Sequence, residues 1–155
     1  MSDTRWLDDD EQKAWRTYIW ASRLLNESLD RQLQREAGMP HAYYVILAML
    51  SEAPGRSLTM TELARLVRSS ASRLSHAVAK LEAQGWVFRR KRPGDARTTI
   101  ATLTDEGFAA IAEAAPGHVE QVRRVLFDLL TPEQTRQLHD IFGAVLTNLN
   151  ATDGI

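Results

Sequence analysis

The 155 residues include no cysteine. That absence excludes a disulfide framework, a cysteine-based zinc site and a thiol redox sensor, and it fits a reducing, cytoplasmic setting. Long apolar runs are missing too. The longest, AYYVILAML (Ala42–Leu50), is far short of a membrane span. The opening MSDTRWLDDDEQKAW is acidic and lacks the apolar centre of a signal peptide, so no membrane partner is expected. No glycine-rich phosphate loop, nucleophile elbow, triad-like arrangement or H-E-x-x-H motif occurs, so no catalytic residue is nominated and the chain reads as a non-enzyme. His41, His76, His118 and His139 show no metal-ligand spacing. Neither a metal nor a cofactor is expected. Internal repeats and low-complexity segments are absent as well.

What is present is positive charge in one place. The formal net charge is -1. Between Arg56 and Arg97, however, ten basic residues stand against three acidic ones, and the rest of the chain holds nine basic against seventeen acidic. A basic centre between acidic arms points to an anionic partner for the centre alone. The densest part is RRKRPGDARTT (Arg89–Thr99), five basic residues around a Pro-Gly-Asp turn.

The pattern around that centre is helical. Asp8 and Glu11 have capping-box spacing. After them Trp15, Tyr18, Ile19, Ser22, Leu25, Leu29 and Leu33 recur at three- and four-residue steps, predicting a long helix that ends near Gly38. Pro40 suits the first position of a second, nearly all-apolar and therefore buried helix. SEAPGRS reads as a loop. Thr59 and Glu62 form a second box, followed by the short apolar face of Leu63, Leu66 and Val67. Ser69 or Ser70 then caps a further helix with Leu74, Val78 and Leu81 inward and Gly85 as its stop. Two short helices so tightly joined form a helix-turn-helix. Trp86–Phe88 opens a strand, and Thr98–Leu103 alternates as a second one. Arg92-Pro93-Gly94-Asp95 between them fits a type II turn, with proline presetting φ at the first central position and glycine supplying positive φ at the next. The basic stretch is thus the tip of a hairpin directly after the helix-turn-helix, a winged helix. Thr104 caps another long helix that Pro116-Gly117 should kink or break. Thr131-Pro132 starts the last, with Leu138, Ile141, Phe142, Val145 and Leu149 on one face. ATDGI at the end reads as a frayed tail.

The order LARLV…LE-x-x-GW…GDAR…LTDEG, with Asp95-x-Arg97 and Leu103-Thr104-x-x-Gly107 in place, resembles the MarR family of bacterial transcription regulators from about Asp8 to Asn150. The resemblance implies a mainly α fold with a small β-hairpin: a winged helix-turn-helix over 40–104, and a helical dimerisation region over 8–38 and 105–150 of the single chain 1–155. It implies a symmetric homodimer on double-stranded DNA carrying an inverted repeat, with one recognition helix per half-site in the major groove and a wing in the minor groove. Many members also take a small aromatic or anionic ligand in a crevice between the two regions. Two departures stand out. Ala96 replaces the second arginine often found between Asp and Arg in the wing, and the cysteine of peroxide-sensing members is missing.

Candidate site residues follow. On the recognition helix these are Ser70, Ser72, Arg73, Ser75, His76 and Lys80, since the N-terminal part of such a helix reaches base edges. On the wing they are Arg89, Arg90, Arg92, Asp95 and Arg97. The basic side chains alternate along a strand, so they cannot all meet phosphates. Arg97 fits the negative potential of a narrow A·T-rich minor groove, and Asp95 is expected to orient an arginine. Trp15, Tyr18, Trp20, His41 and Tyr44 are the candidate ligand crevice, although aromatics at helical spacing are core residues more often than ligand contacts. Two functions stay open: a regulator, a repressor in the first place, released by a ligand, or an effector-independent DNA-binding regulator or architectural factor.

Overall fold

The computed structural model describes residues 3–152 and divides the chain into two compact units, Met1–His118 and Val119–Ile155. The division falls inside a helix.

In the first unit, helix α1 (Asp9–Ala37) opens with the expected box: the Glu11 N–H donates to Asp8 Oδ1 (2.8 Å) and the Asp8 N–H to Glu11 Oε2 (2.9 Å). Asp9, Asp10 and Glu11 also sit well at the positive end of the helix dipole. Helix α2 (His41–Glu52) begins one residue later than read. Pro40 is extended (φ −62°, ψ 147°) and stands outside the helix, because the Asp30 carboxylate accepts the His41 N–H at 2.8 Å and sets the start there. The stretch read as a plain loop is more ordered: a 3-10 turn at Pro54–Arg56 leads into a strand, β1 (Ser57–Thr59), which the sequence did not disclose.

Helix α3 (Met60–Leu66) is boxed by Thr59 and Glu62, and helix α4 (Ala71–Ala83) is capped by Ser70, whose Oγ accepts the Arg73 N–H at 3.3 Å. Between them Arg68 takes φ 55°, the left-handed region that a side chain occupies sparsely. Strands β2 (Val87–Arg92) and β3 (Asp95–Leu103) form the hairpin, with Gly94 at φ 80° as the type II turn requires. β3 starts three residues before the alternating segment. The antiparallel sheet runs β1-β3-β2, pairing Ser57 with Thr102 and Val87 with Leu103.

One core joins these elements: Leu33 of α1, Leu47 and Leu50 of α2, Leu63 of α3, Leu74, Val78 and Leu81 of α4, and Ala101 of β3, all fully or almost fully buried. Three of the eight come from α4, so its inner face is what seats it. Truncating one of its leucines to alanine costs about 2–5 kcal/mol.

Helix α5 (Asp105–Val125) follows β3 directly. Thr104 Oγ1 accepts the Gly107 N–H at 3.0 Å and donates to the Gly85 carbonyl at 2.7 Å. Gly107 lies against Trp86, where a Cβ would stand 2.2 Å from the carbonyl oxygen. Of the kink or break expected at Pro116-Gly117, the break is not found; α5 continues through both residues. Proline removes one hydrogen bond of the ladder. Packing on this side favours continuity: Gly117 lets α5 approach α1 closely, with the Glu36 and Gln32 side chains filling the space a Cβ would take.

In the second unit, helix α6 (Pro132–Thr152) is capped by Thr131, whose Oγ1 accepts the Gln134 N–H at 3.1 Å. Its apolar seam is uncovered: Ile141, Val145, Leu146 and Leu149 are 45–60% exposed. Of the tail expected to fray, residues 151 and 152 continue the helix, and 153–155 lie outside the described residues.

Candidate nucleic-acid interface

Burying Leu74, Val78 and Leu81 turns the opposite face of α4 outward. Ser72, Arg73, Ser75, His76 and Lys80 are all exposed there, and Ser70 sits at the helix entrance with its hydroxyl used as the cap. Residues 72, 76 and 80 share one stripe, four apart. The face offers an always-charged fork, an ammonium, a hydroxyl and an imidazole, a donor-rich set suited to phosphate oxygens and purine acceptors.

The wing stands beside it. Arg90, Arg92 and Arg97 are exposed, and Lys91 donates to Thr99 Oγ1 across the hairpin at 2.9 Å. Arg92 and Arg97 line a groove with Thr59, Thr61, Glu62 and Thr98, so the first turn of α3 faces the wing. The Glu62 carboxyl is held below its usual range, because the Thr59 hydroxyl and N–H bond its carboxylate and Arg92 adds a weaker attraction.

Asp95 and Arg89 differ from expectation. Asp95 acts on the main chain: its Oδ1 accepts the Arg97 N–H (3.1 Å) and its Oδ2 the Thr98 hydroxyl (2.7 Å). Those two bonds, Thr98 first, hold its carboxyl below the usual range. It therefore shapes the backbone that carries Arg97 rather than gripping the guanidinium. Arg89 is only partly exposed, ion-paired to Glu82 at 2.6 Å and bonded to Ser75 Oγ at 2.9 Å. Sequence reasoning passed over Glu82, although opposite charges seven residues apart across a Gly85 turn were a usable signal.

The same fold recurs in known proteins. Residues 37–98 match the model of the MarR family. Sco3205, a MarR family transcriptional regulator from Streptomyces coelicolor solved in complex with DNA, is 52% identical, with a TM-score of 0.93 over 96% of this chain and 93% of that one. AbsC, a MarR family regulator from the same organism, is 38% identical, with a TM-score of 0.91 over 96% and 99%. The transcriptional repressor YetL of Bacillus subtilis is 28% identical over 108 residues, which is 68% of this chain and 65% of YetL.

The chain belongs to the MarR family. It is a transcription regulator with the winged-helix fold of that family, and not an enzyme.

The five residues expected to line a MarR family ligand crevice are not gathered in one protomer. Trp15, Tyr18 and Trp20 are exposed on the first half of α1, with the Trp15 and Tyr18 rings 6.1 Å apart. Asp30, which holds the start of α2, lies ten to fifteen residues further along the helix, about 15–22 Å at 1.5 Å per residue. His41 and Tyr44 instead meet His118 of α5, with ring centroids 5.4 and 4.2 Å away. Burial, and then the neighbouring His41, lowers the His118 pKa; burial lowers that of His41 against the pull of Asp30; burial, then Glu52, raises that of Tyr44. His118 Nδ1 and Gln32 Oε1 are buried with no hydrogen-bond partner among the described residues. Since His118 is 77 residues from His41, only the fold discloses the cluster. The described residues include no group of three or more His, Cys, Asp or Glu able to hold a metal, and no helix long and apolar enough to cross a membrane.

Proposed function

We propose that this chain binds an inverted repeat in double-stranded DNA as a homodimer and represses transcription there. The carrying observation is one basic surface with two readers: the exposed face of α4 and the wing with Arg90, Arg92 and Arg97. The DNA complex of Sco3205 supports this use of the fold, and YetL supports repression. The uncovered seam of α6 supports the dimer. Ser72, Arg73, His76 and Lys80 enter the major groove. Arg90 and Arg92 meet phosphates, and Arg97 enters the minor groove.

The test is a salt titration of inverted-repeat and random duplexes by fluorescence anisotropy. If on the order of 6–10 phosphates are neutralised per dimer, affinity falls roughly 10³–10⁵-fold between 50 and 200 mM salt. The acidic remainder does not cancel this, since exposed charges are screened beyond about 10 Å. A flat titration, or no preference for the inverted repeat, overturns the reading. Release by a small aromatic or anionic ligand is favoured by the unpartnered Nδ1 of His118, whose ring lies against His41 and Tyr44. If no such ligand loosens the complex, the regulator works without an effector.

A further inference from the structure

The wing and the recognition helix touch through one side chain that neither reading of a basic surface requires. Arg89 donates from Nε to Glu82 Oε1 (2.8 Å), pairs through Nη2 with the same oxygen (2.6 Å), and donates from Nη1 to Ser75 Oγ (2.9 Å). Its own backbone N–H reaches Glu82 Oε2 at 3.3 Å. Ser75 and Glu82 are seven residues apart, two turns along one side of α4. A single guanidinium thus straps two turns of the recognition helix to the first half of β2, and the Glu82 carboxylate holds both the side chain and the main chain of that strand.

Two consequences follow from chemistry. First, the Glu82 charge offsets that of Arg89, so the pair adds little to the attraction of phosphates, while the planar fork restricts rotation of β2 about α4. Second, a serine hydroxyl has one proton and two lone pairs. With a cation bonded to one lone pair, the O–H is polarised toward donating. Its complements on DNA are acceptors: a phosphate oxygen, N7 or O6 of guanine, N7 of adenine, or O4 of thymine.

We propose that Arg89 is a positioning residue: through Glu82 and Ser75 it sets the wing at a fixed angle to the recognition helix and commits Ser75 to donate to an acceptor on DNA. This rests on the DNA-binding reading above, in which α4 and the wing occupy neighbouring grooves.

Glu82→Gln separates the possibilities by sign. Counting charge, removal of a carboxylate from a basic surface strengthens binding to every duplex. A positioning role instead predicts about tenfold weaker binding to the inverted repeat, with random duplex held equally or more tightly. Hydroxyl-radical footprints of this variant should lose protection in the flanking minor groove and keep it at the recognition-helix contacts. Arg89→Gln should leave the salt slope unchanged, whereas a phosphate ligand would lower it by about 1. The double variant Glu82→Arg with Arg89→Glu should restore the flanking footprint, which neither misfolding nor simple charge loss predicts. Ser75→Ala, on the exposed helix face, removes one of the Arg89 bonds and keeps those to Glu82, so it should weaken the wing footprint less than Glu82→Gln does, and relax preference at one base position or lose one phosphate contact. Tightening of both duplexes by Glu82→Gln, or uniform weakening with a lower slope in Arg89→Gln, overturns the proposal. A wild-type protein that ignores the inverted repeat defeats the DNA reading itself, a separate outcome visible before any variant is made.

Discussion

Replacing Ile141 by aspartate tests whether the seam of α6 is a dimer interface. In one chain the Ile141 side chain is 60% exposed, so a carboxylate there remains hydrated and the protomer loses almost nothing. In a dimer closed over the seam two effects add. Full burial of such an aliphatic side chain is worth about 1.5–3 kcal/mol, so covering its exposed portion contributes about 1–2 kcal/mol, and that is lost. Placing an unpaired charge in the closed contact costs several kcal/mol more, or forces the carboxyl to take up a proton. A twofold dimer carries the change twice, for a total of at least about 6 kcal/mol, or upward of about four decades in the dimer dissociation constant. Sedimentation equilibrium at several protein concentrations reads this directly, with circular dichroism as the check on helix content. If Ile141→Asp dimerises within tenfold of wild type, the α6 seam is not the interface, whatever else holds the protomers together.

Other variants probe the DNA surface and the core. Arg97→Ala should cost roughly 1–3 kcal/mol on the inverted repeat and less when its flanks are changed to G·C, while Arg90→Ala weakens all duplexes equally; matched-salt anisotropy on both duplexes compares them. Should Arg97→Ala lose no more than Arg90→Ala on the inverted repeat, the minor-groove role of Arg97 is wrong. His41 and His118 have folded pKa values below their ordinary 6.5, so the unfolded chain binds protons more readily. Their contribution to stability is complete above about pH 6.5 and is lost as pH falls toward the lowered folded values, and His118→Gln should flatten the acid side of the melting-temperature profile. Gly107→Ala places a methyl against the Trp86 carbonyl and should cost at least about 1–3 kcal/mol in urea unfolding; an unchanged midpoint would show that α5 moves away freely.

Local chemistry made much of this fold legible. Asp8 with Glu11, Thr59 with Glu62, Ser70 and Thr131 all cap the helices their spacing announces. Pro93-Gly94 makes the turn it encodes. What escaped notice depends on distant partners. β1 is three residues long and exists because β3, more than forty residues later, supplies the other half of its ladder. Pro116 obeys its local rule only until helix packing outweighs one missing hydrogen bond. In the candidate site, exposure of Arg73, His76, Lys80, Arg90 and Arg97 follows from helical and strand periodicity. The commitments of Arg89 and Asp95 do not, because a charge count is blind to which neighbour a charged group meets first. Periodicity is equally blind to position along a helix: Trp15 and Tyr18 lie together on α1, while His41 and Tyr44 meet His118 instead.

The hydroxyl of Thr104 spends both of its bonding abilities at once, accepting from Gly107 and donating to Gly85. One oxygen thereby fastens the exit of the recognition helix to the threshold of α5. Few residues can fill that post. Aspartate could only receive, valine could do neither, and serine alone keeps both functions at the same reach. The position therefore admits few replacements that keep both bonds, even though the side chain touches solvent. Two hydrogen bonds of a single side chain therefore tie the first turn of α5 to Gly85, at the trailing end of the helix that would read the DNA.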